Sequence, residues 1–169
     1  MAEAVFYQLT RKRLEHALPE LLSKTLEKGW RAVVRCGEKA RVEPLNRALW
    51  TFAEDSFLPH GAAGDGEAAR QPIYLTAGAE NPNQAQALFL VDGAAAAPEE
   101  MRRFARCVLM FDGRNEAALQ AARAAWKAVT AAEIDALYWA EKGGGGWEKK
   151  AEKKAEKKAG EPAGKRKKS

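Results

Sequence analysis

Residues 3–36 read EAVFYQLTRKRLEHALPELLSKTLEKGWRAVVRC, and this stretch decides the fold class. Glu3 to Leu9 is a short apolar run with β-branched and aromatic content, bounded by Thr10-Arg11-Lys12, and it predicts a first strand. Leu14, Leu18, Leu21, Leu22, Thr25 and Leu26 then recur at spacings of three and four, the pattern of a helix that buries one face. Gly29 closes that helix in the favoured position. Pro19 is tolerated only in a first turn, so the regular helix is expected to begin near Leu18. Trp30 to Cys36 is a second strand ended by Gly37, and Glu38 to Trp50 is a second helical segment reset at Pro44. Strand, helix, strand, helix is the opening of a parallel sheet.

Further along, Pro72 to Thr76 and Ala87 to Val91 are short buried runs of strand length, the second followed at once by Asp92-Gly93. Pro98 to Ala105 reads as a short helix with proline acceptable at its first position. Arg106 to Phe111 is the next strand, again followed by Asp112-Gly113. A long alanine-rich helix spans Asn115 to Thr130 with Leu119, Ala122, Trp126 and Val129 on one side. Asp135 to Ala140 reads as a closing strand or an extended arm. The expected fold is α/β: a single open, mostly parallel sheet flanked by helices in a nucleotide-binding-like three-layer arrangement over residues 1–140. Residues 141–169 are expected to form a glycine-hinged, Lys/Glu-rich disordered tail.

Composition narrows the function classes. The chain of 169 residues carries a formal charge of +5, but residues 141–169 hold eleven Lys/Arg against five Asp/Glu, leaving seventeen against eighteen in the body. The basicity belongs to the tail, which makes nonspecific nucleic-acid contact by its lysines a candidate property of that segment and not of the folded surface. No apolar run is long enough for a membrane span and no signal peptide is evident. Cys36 and Cys107 are too few for a disulfide framework, and a reducing cytoplasm fits them. Neither they nor His16 and His60 sit at zinc-ligand spacing, and no cofactor motif is present: Gly64-Asp65-Gly66 matches no phosphate loop.

Three groups of residues invite chemistry. Asp92 and Asp112 both follow strands, where open α/β sheets bind ligands, and two such aspartates could hold Mg²⁺ for phosphotransfer or nucleotide handling; the alternative is that each caps a turn. Arg47 to His60, RALWTFAEDSFLPH, concentrates Trp50, Phe52 and Phe57 ahead of Pro59-His60, so it is either buried or meets a partner. Arg123 and Lys127 lie one helical turn apart beside Trp126, an arrangement that can receive an acidic, apolar-tipped peptide end; the alternative is a core tryptophan between solvated cations.

Phe6-Tyr7, Ala48-Leu49-Trp50, Ser56 to His60 with Gly64-Asp65-Gly66, Leu90 to Gly93, Phe111-Asp112, Ala122-Arg123 and Trp126-Lys127 together resemble the chi subunit of bacterial DNA polymerase III holoenzyme over about residues 4 to 140. The resemblance implies a noncatalytic replication adaptor, accessory to the polymerase. Such a protein binds the acidic C-terminal tail of single-stranded DNA-binding protein and ties it to the clamp loader, in many bacteria through a small psi subunit. It places tail binding on Arg123, Trp126 and Lys127, and a psi-like partner face on Trp50, Phe57, Pro59 and His60. Two positions depart from the family: Leu119 stands where a lysine is usual, and Asp112 where an apolar residue is usual.

Overall fold

The structure, a computed structural model, describes residues 2–51, 60–63, 67–143 and 146–155, with only the backbone for residues 50 and 51. Strands β1 (Glu3–Leu9), β2 (Ala32–Cys36), β3 (His60–Ala62), β4 (Ile73–Thr76), β5 (Ala87–Val91), β6 (Arg106–Asp112), β7 (Asp135–Glu141) and β8 (Trp147–Lys153) form one sheet in the order β3-β4-β2-β5-β6-β1-β7-β8. All pairings are parallel except β7 with β8. Helices α1 (Leu14–Glu27) and α2 (Val42–Thr51) pack on one face, and α3 (Pro98–Met101) and α4 (Glu116–Ala131) on the other. The three layers expected from the strand–helix alternation are present.

Alternation along the strands supplies both cores. Val34, Phe89, Val108 and Met110 point toward α1 and α2, and Phe6, Leu88, Leu90 and Cys107 toward α3 and α4. The first helix starts at Leu14, earlier than expected, and carries Pro19 inside it. Proline there removes the hydrogen bond to the Glu15 carbonyl, at about 3 kcal/mol. Leu18 and Leu22, both fully buried, together offset this at roughly 1.5–3 kcal/mol each. Gly29, at φ +83°, ends the helix with its amide on Leu26 and the Trp30 amide on Thr25, a Schellman closure.

Strand order is not legible in the alternation of strands and helices and is set by the pairings. β1 and β2 are separated by β6 and β5, and β1 lies between β6 and β7. His60–Ala62 is a short edge strand, and α3 ends at Met101, short of Ala105. A part-buried ion pair of Arg35 on β2 with Glu100 on α3 fastens that helix down, and Arg35 also donates to the Ala95 carbonyl at 3.2 Å.

The expectation of a disordered tail from residue 141 onward is corrected over Trp147–Lys153, which is strand β8. Low-complexity composition shows no strand period; the strand exists because β7 offers it an open edge. Two contacts hold the hairpin. Trp147 packs edge-on against Tyr7, ring centres 5.0 Å apart. The Glu141 carboxylate accepts the consecutive backbone amides of Thr10, Arg11 and Lys12 at 2.7, 3.1 and 3.0 Å. Burial alone would raise the Glu141 pKa, but these donations hold it below the ordinary carboxylate value.

Because that pKa is depressed on folding, the latch contributes stability above the unfolded carboxylate pKa, about 4.3, and loses it as pH falls through the lower folded value. Glu141→Gln is expected to cost about 1 kcal/mol or more at pH 7 in urea denaturation, with the difference from the parent shrinking below about pH 4. Amide exchange at Thr10, Arg11 and Lys12 should accelerate in the variant.

Candidate functional site

Helix α4 begins with a side-chain cap, Asn115 Oδ1 accepting the Ala118 amide at 3.0 Å. Its inward face carries Ala122 and Val129, both buried. One flank carries Leu119 and Trp126, half-buried, and the exposed Arg123 and Lys127. Among the described residues, neither Arg123 nor Lys127 makes an ion pair.

Trp126 belongs to an aromatic cluster that periodicity alone did not reveal. Its ring meets Phe6 of β1 edge-on at 5.3 Å and Tyr138 of β7 at 6.0 Å. Tyr138 stacks on Phe6 at 6.2 Å and meets Phe111 of β6 at 6.0 Å, and its hydroxyl donates to Gln8. Burial pushes the Tyr138 hydroxyl pKa up, and the charge of Arg123 partly opposes the shift. The tryptophan is therefore half core and half wall. The signal for Tyr138 was the alternation Ala136, Tyr138, Ala140 on one face of β7, which gains meaning only once β7 is placed beside β1.

The carboxyl ends of β1, β5 and β6 open into a cleft of about 760 Å³ that includes Asp92 and Asp112. Both carboxylates are already committed. Asp92, at φ +50° before Gly93, accepts Arg41 Nε at 3.0 Å, and Arg41 also reaches Glu15 at 3.4 Å. Asp112 accepts the side chain and the amide of Arg114, each at 2.9 Å, which holds its pKa below the ordinary value. Gly37 brings the β2–α2 turn so close to this corner that an added Cβ would lie 2.0 Å from the Asp92 carbonyl oxygen. Among the described residues no group of three or more His, Cys, Asp or Glu is placed to hold a metal ion. The arrangement matches turn-capping aspartates, and it gives the Mg²⁺ reading no free pair of ligands.

His60 is buried in β3, with Nε2 3.2 Å from the Asn46 carbonyl oxygen, which fits a packing histidine. Phe57 and Pro59 and the side chain of Trp50 lie outside the described residues. Cys36 and Cys107 are buried thiols, pushed up by desolvation to about 11 and about 12. No helix among the described residues is long and apolar enough to cross a membrane.

Comparison with known proteins bears on the same residues. The family model described as DNA polymerase III chi subunit, HolC, matches residues 1–136. The probable DNA polymerase III subunit chi of Rickettsia prowazekii (strain Madrid E) is 28% identical over 117 residues, 66% of this chain and 71% of that protein. The DNA polymerase III subunit chi of Escherichia coli (strain K12) is 27% identical over 82 residues, 44% of this chain and 56% of its own length.

The half-buried Trp126 and the exposed Arg123 on the same flank should differ in what they contribute to stability. Trp126→Ala is expected to lower unfolding free energy by about 2–3 kcal/mol, since it empties a contact with Phe6 and Tyr138. Arg123→Ala, exposed and without an ion pair among the described residues, should change it by less than about 0.5 kcal/mol. Denaturant titration of both variants checks the contrast.

Proposed function

Because the chain belongs to the family of DNA polymerase III chi subunits, accessory to the replicase, we propose that it links the clamp loader to single-stranded DNA-binding protein by gripping that protein's acidic C-terminal tail. The observation that carries this reading is the pair Arg123 and Lys127, exposed, one helical turn apart and without ion pairs among the described residues, beside the half-buried Trp126. Carboxylates of the tail pair with the two cations, and an apolar terminal side chain rests on the ring surface of Trp126 and Tyr138. The role is binding and requires no catalytic group of the chain.

Two departures from the family's usual residues bear on strength. Leu119 removes one cation from the same flank. Asp112 adds an anion, but Arg114 is bound to it through two hydrogen bonds, which offsets the repulsion it would exert on an acidic peptide. On the partner side, Trp50 with Phe57 and Pro59 is the proposed contact for a psi-like subunit, supported by their aromatic density in sequence and by the match of residues 1–136 to the family.

Fluorescence polarisation with a labelled tail peptide tests the first contact. Arg123→Ala should weaken binding more than tenfold, about 1.4 kcal/mol, and Arg123→Ala with Lys127→Ala should bring it below detection. Unchanged affinity in the double variant would remove the site assignment. Trp50→Ala should lose co-purification with the clamp-loader assembly while its folded fraction keeps tail affinity within about twofold; retained co-purification would remove the second face.

A further inference from the structure

Beyond residue 136, where the family match ends, the chain adds β8 alongside β7, next to the flank of α4 that carries Arg123 and Lys127. Residues opposed across an antiparallel ladder point to the same face. Ala151 is opposite Tyr138 and Lys153 opposite Ala136, and Tyr138 faces α4 through Trp126. Ala151 and Lys153 therefore share the α4 side of the sheet. Trp147, opposite Glu141, points the other way, against Tyr7 on the α1 side. An irregularity opposite Tyr138 and Trp139 skips Lys150, which pairs with Glu148 at 3.2 Å, and lets Lys149 meet Glu152 at 3.0 Å on the α1 side.

α4 rests over β1, and β8 is two strand spacings away, about 10 Å in the plane of the sheet. Between them lies a trough above β7, floored by half-buried Tyr138 and bordered by exposed Ala151. α4 runs opposite to β7, so the turn of helix that follows Trp126 and begins with Lys127 leads from the level of Tyr138 towards that of Ala136 and Lys153. Most acids nearby are engaged: Glu148 with Lys150, Glu152 with Lys149 and Lys154, and Asp135 with the Ala155 amide. Glu133 is exposed in the turn that follows α4 at the same end. Among the described residues Arg123, Lys127 and Lys153 make no ion pair, so the trough has free cations on both walls.

We propose that β8 is the second wall of the acidic-peptide site: Lys153 on the strand and Arg123 with Lys127 on the helix bracket the carboxylates of one extended acidic peptide, whose apolar side chain rests on Trp126 and Tyr138. This inference rests on the tail-binding reading above and adds a cation from a strand outside the matched family region.

Fluorescence anisotropy on the full chain, with a labelled acidic peptide ending in an apolar residue, tests it through two variants of equal charge change on opposite faces of one strand. Lys153→Glu is expected to weaken binding about fivefold at low salt and less at high salt, and Lys149→Glu to leave it within about twofold. Equal weakening by both variants would mean that net charge alone acts, and would overturn the proposal. So would an unaffected Lys153→Glu beside a weakened Arg123→Ala, which leaves the α4 reading standing. No effect from any of the three would overturn both.

Discussion

β1 is paired along its length on both sides, residue for residue with β6 from Glu3↔Arg106 to Leu9↔Asp112, and with β7 from Glu3↔Asp135 to Gln8↔Ala140. The rest of the molecule hangs on that double register. It sets Phe6 under α4 between Tyr138 and Trp126, and Tyr7 on the opposite face under Trp147. It also presents the turn after β1 to the end of β7, where three consecutive amides meet one carboxylate. A slip by one residue would send every one of these side chains to the wrong face. The aromatic cluster under α4 and the C-terminal hairpin therefore share one origin.

Charge is distributed with the same economy. Arg35 is neutralised by Glu100 in the interior, Arg41 by Asp92 and Glu15, Arg106 by Glu3 and Arg114 by Asp112. Arg123 and Lys127 on the α4 flank have no such partner among the described residues and stand beside the half-buried Trp126. Two cations one turn apart on a capped, well-packed helix are held at a defined spacing. The body's formal charge near zero conceals this local excess, which is why net charge is a poor guide to a small binding site.

The cleft and the α4 flank differ in how their charged groups are engaged. The cleft at the carboxyl ends of the strands is where an α/β fold hosts a ligand, yet its aspartates are spent on arginines. The aromatic cluster beside α4, in contrast, combines a fixed apolar surface with free charge. Trp126 serves both purposes: its contacts with Phe6 and Tyr138 hold the ring still, and its remaining edge borders the cations.

Local pattern determined much of this protein. The three- and four-residue spacings of α1 and α4, the short apolar runs of β1, β2, β5 and β6, the resemblance to the chi family, and the placing of Arg123, Lys127 and Trp126 on one helix were all legible, because each is written within a window of a few turns or a single strand. Tertiary structure alone decided the strand order, the start of α1 ahead of Pro19, the strand made from Trp147–Lys153, the burial of His60, and the meeting of Tyr138 with Trp126. These depend on partners far apart in the chain: Glu141 reaches Thr10 and Tyr138 reaches Gln8 across about 130 positions. No local window contains both halves of such a contact, and only the folded chain shows which acids have already claimed which bases.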